Sequence, residues 1–277
     1  MHLPPLLIDE VIKRAFMEDI GYGDITTEAI VPPQQMGRGE FIAREELILS
    51  GLQVACRVFY LLHPLIKCSS EHKDGDRVKQ ETIIASIEGP AWVLLLGERL
   101  ALNFLQHMSG ISTLTHKYVK LLEGYRVKIL PTRKTIPGMR LLEKYSVCVA
   151  GGGRHRFGLH DGVLIKENHI KLAGGVKNAI SRIKKNLYHG MKIEVEVRDL
   201  KELQEALEAG VDAVLLDNME PQKVTEAVRI NQRRALLEVS GGIKLENVRE
   251  YAAGVDYISI GTLTHSAPAV DITFLVK

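Results

Sequence analysis

The chain is poor in several things at once. Of its 277 residues three are cysteine, one is tryptophan and 5% are aromatic. Cys56, Cys68 and Cys148 form no C-x-x-C pair and their number is odd. Neither a zinc cluster nor a disulfide framework is therefore expected, and a reducing cytoplasm fits. Charge of one sign is also missing. Lys plus Arg total 36 against 34 for Asp plus Glu, a net charge of +2. That balance argues against general nucleic-acid or membrane-surface binding. The longest obvious apolar run, around Ala91 to Leu96, is far too short to span a bilayer. Near the N-terminus, Asp9, Glu10, Lys13 and Arg14 interrupt the apolar core that a signal peptide would need. There is no G-x-x-x-x-G-K-S/T loop and no G-x-S-x-G elbow, and no H-x-x-x-H pair sits on a clear helix. What remains is a folded, cytosolic protein, 45% hydrophobic and 25% charged. At about 150 residues per domain its length suits one large domain or two smaller ones.

The first hundred residues have no regular rhythm. An amphipathic helix is expected from about Ile8 to Glu18, then short β-like runs at Glu40–Ala43, Ile48–Leu49, Thr82–Ile87 and Trp92–Leu96. The stretch around Asp74-Gly75-Asp76 has the look of a lipoyl or biotinyl carrier, yet nothing matches the modified-lysine tip of such a fold. A strong helix follows from about Gly97 to Met108. Leu100, Ala101, Phe104, Leu105 and Met108 form its apolar stripe, and Arg99, Asn103 and Gln106 form a polar face offered to solvent, a ligand or a second subunit.

After about residue 125 the rhythm becomes regular. Strand-like runs appear at Val127–Leu130, Gly162–Ile165, Lys192–Val197, Ala213–Leu216, Ala235–Val239 and Tyr257–Ile260, with Tyr145–Val149 as a further candidate. The later ones recur about every 22 residues, separated by helix-like stretches such as Leu200–Ala209 and Leu245–Ala252. This is the pattern of repeated βα units, pointing to a closed α/β barrel, with an open doubly wound sheet as the alternative.

Polar or glycine-rich residues follow almost every strand at once. They read Thr132-Arg133-Lys134, Gly151 to Arg156, Lys166-Glu167-Asn168-His169, Asp217-Asn218, Ser240-Gly241-Gly242 and Gly261-Thr262. In parallel α/β folds these strand ends converge on one face and build the active site there. From Arg126 to Lys171 there are ten Lys or Arg against three acids, so the rest of the chain carries about −5. A cationic cluster on a near-neutral protein implies a small polyanionic ligand. Arg133, Lys134, His155, Arg156 and Lys166 follow strands and are its candidates, whereas Arg140, Lys144 and Lys171 fit a solvated helix face equally well. Glu196 and Asp217 end neighbouring strands as hard-oxygen ligands suited to Mg²⁺, as does Glu194 if the register differs by two; a salt bridge to Lys134 or Lys166 is the plainer role. Gly241 and its neighbours suit close approach of a phosphate to the backbone. Lys166 as a Schiff-base lysine is a minor alternative.

The residues now in view match a known family. The runs GERLALNFLQHMSGISTLT, TRKTIPGMRLLEKYSV, GGGRHRFGLHDGVLIKENHI, KIEVEV, LLDN, EVSGGI and ISIGTLTHSAPAVDI resemble the quinolinate phosphoribosyltransferase family, as do the early GDITTEAIVP and FIAREELILSGL. The resemblance covers nearly the whole chain. It implies an N-terminal α/β sandwich domain over residues 1–109 and a seven-stranded, TIM-like α/β barrel over 110–264, with the tail 265–277 returning to the first domain. It implies a homodimer or larger assembly in which Arg99 reaches into the partner's site. It also implies a reaction: quinolinate plus phosphoribosyl pyrophosphate (PRPP) gives nicotinate mononucleotide, pyrophosphate and CO₂, with Mg²⁺ as cofactor, a step of NAD biosynthesis. By resemblance Arg99, Arg133, His155, Arg156 and Lys166 hold the quinolinate carboxylates, and Lys134 lies near the pyrophosphate. Glu196 and Asp217 flank the ribose and the metal, and Ser240, Gly241 and Gly261 cradle the 5-phosphate.

The sequence departs from the family pattern at three places. Pro131 stands where Asp is usual, Arg154 where Asn or Ser is common, and Glu167 where Asp is commoner. Two other readings are weighed. A nicotinate phosphoribosyltransferase would take a substrate with one carboxylate fewer, against the density of cations. A relative associated with molybdenum transport would not need the intact set of Arg and Lys.

Overall fold

The structure is a computed structural model and describes residues 3–277. It divides into two compact units. One takes residues up to 116 together with 135–151 and 263–277; the other takes 117–134 and 152–262.

The first unit is built on a four-stranded antiparallel sheet. In chain order it contains α1 (Pro5–Asp19), α2 (Ile25–Ile30), β1 (Met36–Ala43), β2 (Leu47–Ile48), α3 (Leu52–Leu62), β3 (Lys67–Ser69), β4 (Arg77–Val78), β5 (Ile83–Pro90) and most of α4 (Ala91–Leu121). It also holds α5 (Arg140–Val149) and the C-terminal strand (Ile272–Val276). That last strand pairs with β1, so the sheet order is C-terminal strand, β1, β5, β3. Helix α3 buries Val54, Ala55, Val58 and Phe59, an apolar stripe at helical spacing. Phe59 packs 5.7 Å from Phe274, which lies 4.7 Å from Phe41. The Phe274 ring covers Gly39 on the neighbouring strand, where a Cβ would come within 2.2 Å of it, so only glycine fits.

Several expectations need correction here. Trp92–Leu96 opens the long helix α4, because no breaker separates it from the helical stripe that follows. Tyr145–Val149 belongs to α5, whose buried Leu142, Glu143, Ser146 and Val147 recur at helical rather than strand spacing. Gln106 is not a ligand surface: its side-chain N–H donates to the carbonyl of Ile272, 2.8 Å away. Against the expectation of no disulfide, Cys56 on α3 and Cys68 on β3 are joined, with Cα atoms 5.9 Å apart. They stand twelve positions apart in sequence, and only the packing of helix on strand brings them together.

The second unit is a parallel α/β barrel. Its elements are β6 (Lys128–Pro131), β7 (Val163–Ile165), α6 (Glu167–Ala173), α7 (Val176–Asn186), β8 (Ile193–Val197), α8 (Leu200–Glu208), β9 (Ala213–Asp217), α9 (Pro221–Asn231), β10 (Leu236–Ser240) and β11 (Tyr257–Ile260), followed by α10 (Thr262–His265) at the boundary. The C-terminal strand described above is thus β12. Six strands pair in the order β6-β11-β10-β9-β8-β7. Among the described residues a seventh paired strand is absent. Instead the extended segment after Gly151 runs beside β6, and the Gly153 N–H donates to the Ile129 carbonyl at 2.7 Å. Three consecutive glycines have little tendency to form a regular strand. Leu245–Ala252 forms only a single 3₁₀ turn. The Asn247 side chain ties it down first, accepting from the Lys244 N–H and donating to the Gly242 carbonyl.

Strand alternation decides what faces inward. On β8, Ile193, Val195 and Val197 are buried apolar residues, which leaves Glu194 and Glu196 on the opposite face. The same rule leaves Leu215 and Asp217 on that face of β9, and Glu238 and Ser240 on that of β10, opposite the buried Val214, Leu216, Leu237 and Val239. Among the described residues no helix is long and apolar enough to cross a membrane.

Candidate active site

A cavity of about 260 Å³ opens at the C-terminal ends of the barrel strands. Thr132, Arg133 and Lys134 border it after β6, His155 and Arg156 from the segment beside β6, and Lys166 after β7. Glu196 on β8, Asp217 on β9, Glu238 and Ser240 on β10, and Ser259 on β11 complete its polar lining. Five basic side chains and three carboxylates thus share one small space. Of the predicted residues, Arg133, Lys134, His155, Arg156, Lys166, Glu196, Asp217 and Ser240 are brought together there. Arg99 lies in the other unit, exposed on α4. Gly241 and Gly261 are in the loops that follow β10 and β11.

Local structure explains how each group is held. Lys166 precedes α6, and its backbone N–H donates to His169 Nδ1 at 2.9 Å, so the motif histidine caps the helix. The Lys166 ammonium sits 3.3 Å from Glu196 Oε2. After β9, Asn218 adopts a left-handed backbone (φ 51°) and donates its backbone N–H to the Ser240 carbonyl and its side-chain N–H to Asp217. Gly241 follows with φ 98°, and a Cβ there would come within 2.1 Å of Asn218 Oδ1. Only glycine lets these two loops approach. Arg156 is held from below. It donates to the Gly162 carbonyl at 3.1 Å, and the Asp161 carboxylate accepts the N–H groups of Phe157 and Gly158 at 2.6 and 2.7 Å, closing the turn. Burial and the nearby Arg133 both lower the Arg156 pKa from its ordinary value.

Deeper in the barrel His155 meets two acids. Its Nε2 is 3.5 Å from Glu194 Oε2 and 3.5 Å from Glu238 Oε1. Burial by itself would depress the imidazole pKa, yet contacts with Glu194 and then Glu238 outweigh it and push the value up to about 9. Burial is the main cause that raises the Glu194 pKa, helped by the like charge of Glu238 and opposed by His155. Glu194 was foreseen only as an alternative to Glu196; both face inward, two residues apart on one strand. Glu238 was missed. The available signal was a lone acid inside the apolar run Leu236–Val239, a pattern that a buried strand tolerates only when the charge has a partner.

Larger hollows exist elsewhere. One of about 710 Å³ lies at the N-terminal ends of β8 to β11 and is bordered by Asp212 and Asp256. Those carboxylates accept the N–H groups of Ile193 and Leu237, which is a structural role. Chemistry in such barrels belongs to the opposite end.

Comparison with known proteins settles the family. The quinolinate phosphoribosyl transferase N-terminal domain matches residues 24–109, and the C-terminal domain of the same name matches residues 111–275. The chain belongs to the quinolinate phosphoribosyltransferase family. A probable nicotinate-nucleotide pyrophosphorylase (carboxylating) of Bacillus subtilis is 40% identical over 97% of this chain and 93% of its own length. Its namesake in Methanocaldococcus jannaschii is 42% identical over 95% of each chain. The crystal structure of the nicotinate-nucleotide pyrophosphorylase from Ehrlichia chaffeensis superposes with a TM-score of 0.95, at 40% identity and full coverage of both chains.

Within this family the three departures find local explanations. Pro131 is the last residue of β6, an edge of the paired sheet, where a missing N–H is tolerated. Arg154 borders a different hollow, of about 500 Å³, on the N-terminal side of His155, and does not line the strand-end cavity. Glu167 turns to the exposed Arg198, 2.8 Å away.

Proposed function

We propose that this chain transfers the phosphoribosyl group of PRPP to quinolinate with loss of CO₂, releasing nicotinate mononucleotide and pyrophosphate. One observation carries the reading: Arg133, Lys134, His155, Arg156 and Lys166 converge on a single cavity whose other wall bears Glu196 and Asp217. Quinolinate brings two carboxylates and PRPP a 5-phosphate and a pyrophosphate, so a strongly cationic pocket suits the pair. In this reading Arg133, His155, Arg156 and Lys166 orient the dicarboxylate so that the pyridine nitrogen faces C1 of the ribose. Lys134 draws on the leaving pyrophosphate, while Glu196 and Asp217 stabilise the positive charge that develops on the ribose ring. The nitrogen–C1 bond forms as the C1–oxygen bond breaks and pyrophosphate departs with that electron pair. The resulting pyridinium then accepts the electrons of the breaking bond to the adjacent carboxylate; CO₂ leaves and the ring carbon takes a proton. No protein nucleophile is required. Ser240, Gly241 and Gly261 are assigned to the 5-phosphate, which the tight Gly241 loop would admit closely.

The donor set fits Mg²⁺. Glu196 and Asp217 offer hard oxygens from adjacent strands, and Mg²⁺ is usually held by one or two carboxylates plus substrate phosphates. Bound there, it would neutralise charge on the pyrophosphate. The reading also includes a homodimer or larger assembly with Arg99 of a second copy completing the site, and a cytoplasmic setting.

The test is a parallel assay with PRPP, Mg²⁺ and either quinolinate or nicotinate. Equal amounts of CO₂ and nicotinate mononucleotide from quinolinate are expected. Turnover of nicotinate alone would replace this reading, and silence with both would remove it. Arg99→Ala protein mixed with Lys166→Ala protein should recover activity if Arg99 acts across subunits.

A further inference from the structure

Glu238 has no assigned role, yet its position is demanding. It sits mid-strand on β10, level with Leu215 on β9 and Tyr257 on β11, and its side chain is 3% exposed. A carboxylate buried this deeply needs a cationic partner. That partner is His155, whose Nε2 lies equally close to Glu238 and to Glu194. A ring nitrogen that faces two carboxylates can only serve as an N–H donor. Both contacts are ion pairs at 3.5 Å, and Glu238 Oε1 accepts no hydrogen bond, so two acids on different strands hold the imidazole between them and favour a proton at Nε2.

The surrounding charges make Glu238 matter more. The two hollows that His155 borders also carry Arg133 and Lys134 after β6, Arg154 and Arg156 beside it, Lys166 after β7 and Lys192 before β8, with Asp161, Glu196 and Asp217 as further acids. The cations oppose a further positive charge. Glu194 and Glu238 are the acids in contact with the ring, in line with its raised pKa. His155 and Glu238 also border both the strand-end cavity and the hollow on its N-terminal side, so together they form the floor between the two.

We infer that Glu238 is a positioning residue for anion recognition: from beneath the pocket it fixes the His155 ring and keeps it cationic, so that His155 faces the substrate as a positive charge. The identity of that anion as quinolinate rests on the function proposed above; the assignment of Glu238 to His155 does not.

The experiment compares the full-length protein with Glu238→Gln and Glu238→Asp, using ¹⁵N-histidine NMR and steady-state kinetics. The His155 resonance is identified by its loss in His155→Gln. In Glu238→Gln the His155 midpoint should fall by about two pH units, from about 9 to about 7. At pH 8 the KM for quinolinate should rise about tenfold, with kcat and the KM for PRPP within about twofold. At pH 6.5, where the ring is protonated in both proteins, the difference should close. Glu238→Asp, which keeps the charge, should recover most of the midpoint and the KM. An unchanged His155 midpoint in Glu238→Gln overturns the inference, as does a fall in kcat with both KM values raised alike at every pH. If Glu238→Gln does not fold, Glu238→Asp and the native titration decide: a native His155 midpoint near its ordinary value overturns the inference. A native protein inactive on quinolinate would instead overturn the substrate, while the midpoint shift would still decide the role of Glu238.

Discussion

Two groups of opposite charges stand in the same barrel at different depths, and they do different work. At the rim, Lys166 and Glu196 lie 3.3 Å apart with the lysine side chain half exposed. On the floor, His155, Glu194 and Glu238 are nearly enclosed. The rim pair can exchange partners with an incoming anion at little cost, because water already screens it. The floor group cannot, since losing one member strands the others in a poor dielectric. Depth, rather than residue type, separates a rim pair that can exchange partners from two floor acids that hold a substrate-facing histidine in place.

Breaking each group should show this. Lys166→Ala is expected to lower kcat/KM for quinolinate by about 10² or more while the melting midpoint barely moves; kinetics and calorimetry on one sample read both. A comparable loss of stability would erase the distinction. His155→Ala should lose activity and also destabilise the fold by about 3 kcal/mol in urea unfolding at pH 7, because two acids then share a site without their cation.

The pH dependence sharpens the contrast. The folded pKa of His155 is raised to about 9, above its ordinary 6.5. Its ion pairs therefore stabilise the protein fully below about pH 6.5, and that contribution is lost as pH rises through about 9. Unfolding free energy measured from pH 6 to 10 should show this decline, and His155→Ala should flatten it. The smallest effect is expected at Glu167→Asp, which restores the commoner family residue. The Arg198 partner is exposed, so both the melting midpoint and turnover should stay at the native value.

Much of this was legible in the chain. The βα rhythm after residue 125 located six paired strands, and the polar residues after them marked the cavity, because strand ends in a parallel sheet share one face. The polar stripe on α4 was read less well: Arg99 is exposed as expected, but Gln106 is spent on a backbone carbonyl of the returning strand. Tyr145–Val149 was a strand candidate, yet tertiary packing of Leu142 and Ser146 made it a helix. Glu238 escaped notice because a single acid in an apolar run says nothing about which cation lies across a barrel 83 residues away in sequence.

By itself the sequence determined the six paired barrel strands, the family and the cationic character of the pocket, since these follow from local periodicity, motif order and a count of charges. Tertiary structure alone decided which carboxylates share the floor with His155, which glycine must yield to a neighbouring loop, and that Cys56 meets Cys68. Those are contacts between residues far apart in the chain. Their chemistry is set by distance and burial, which no local pattern encodes.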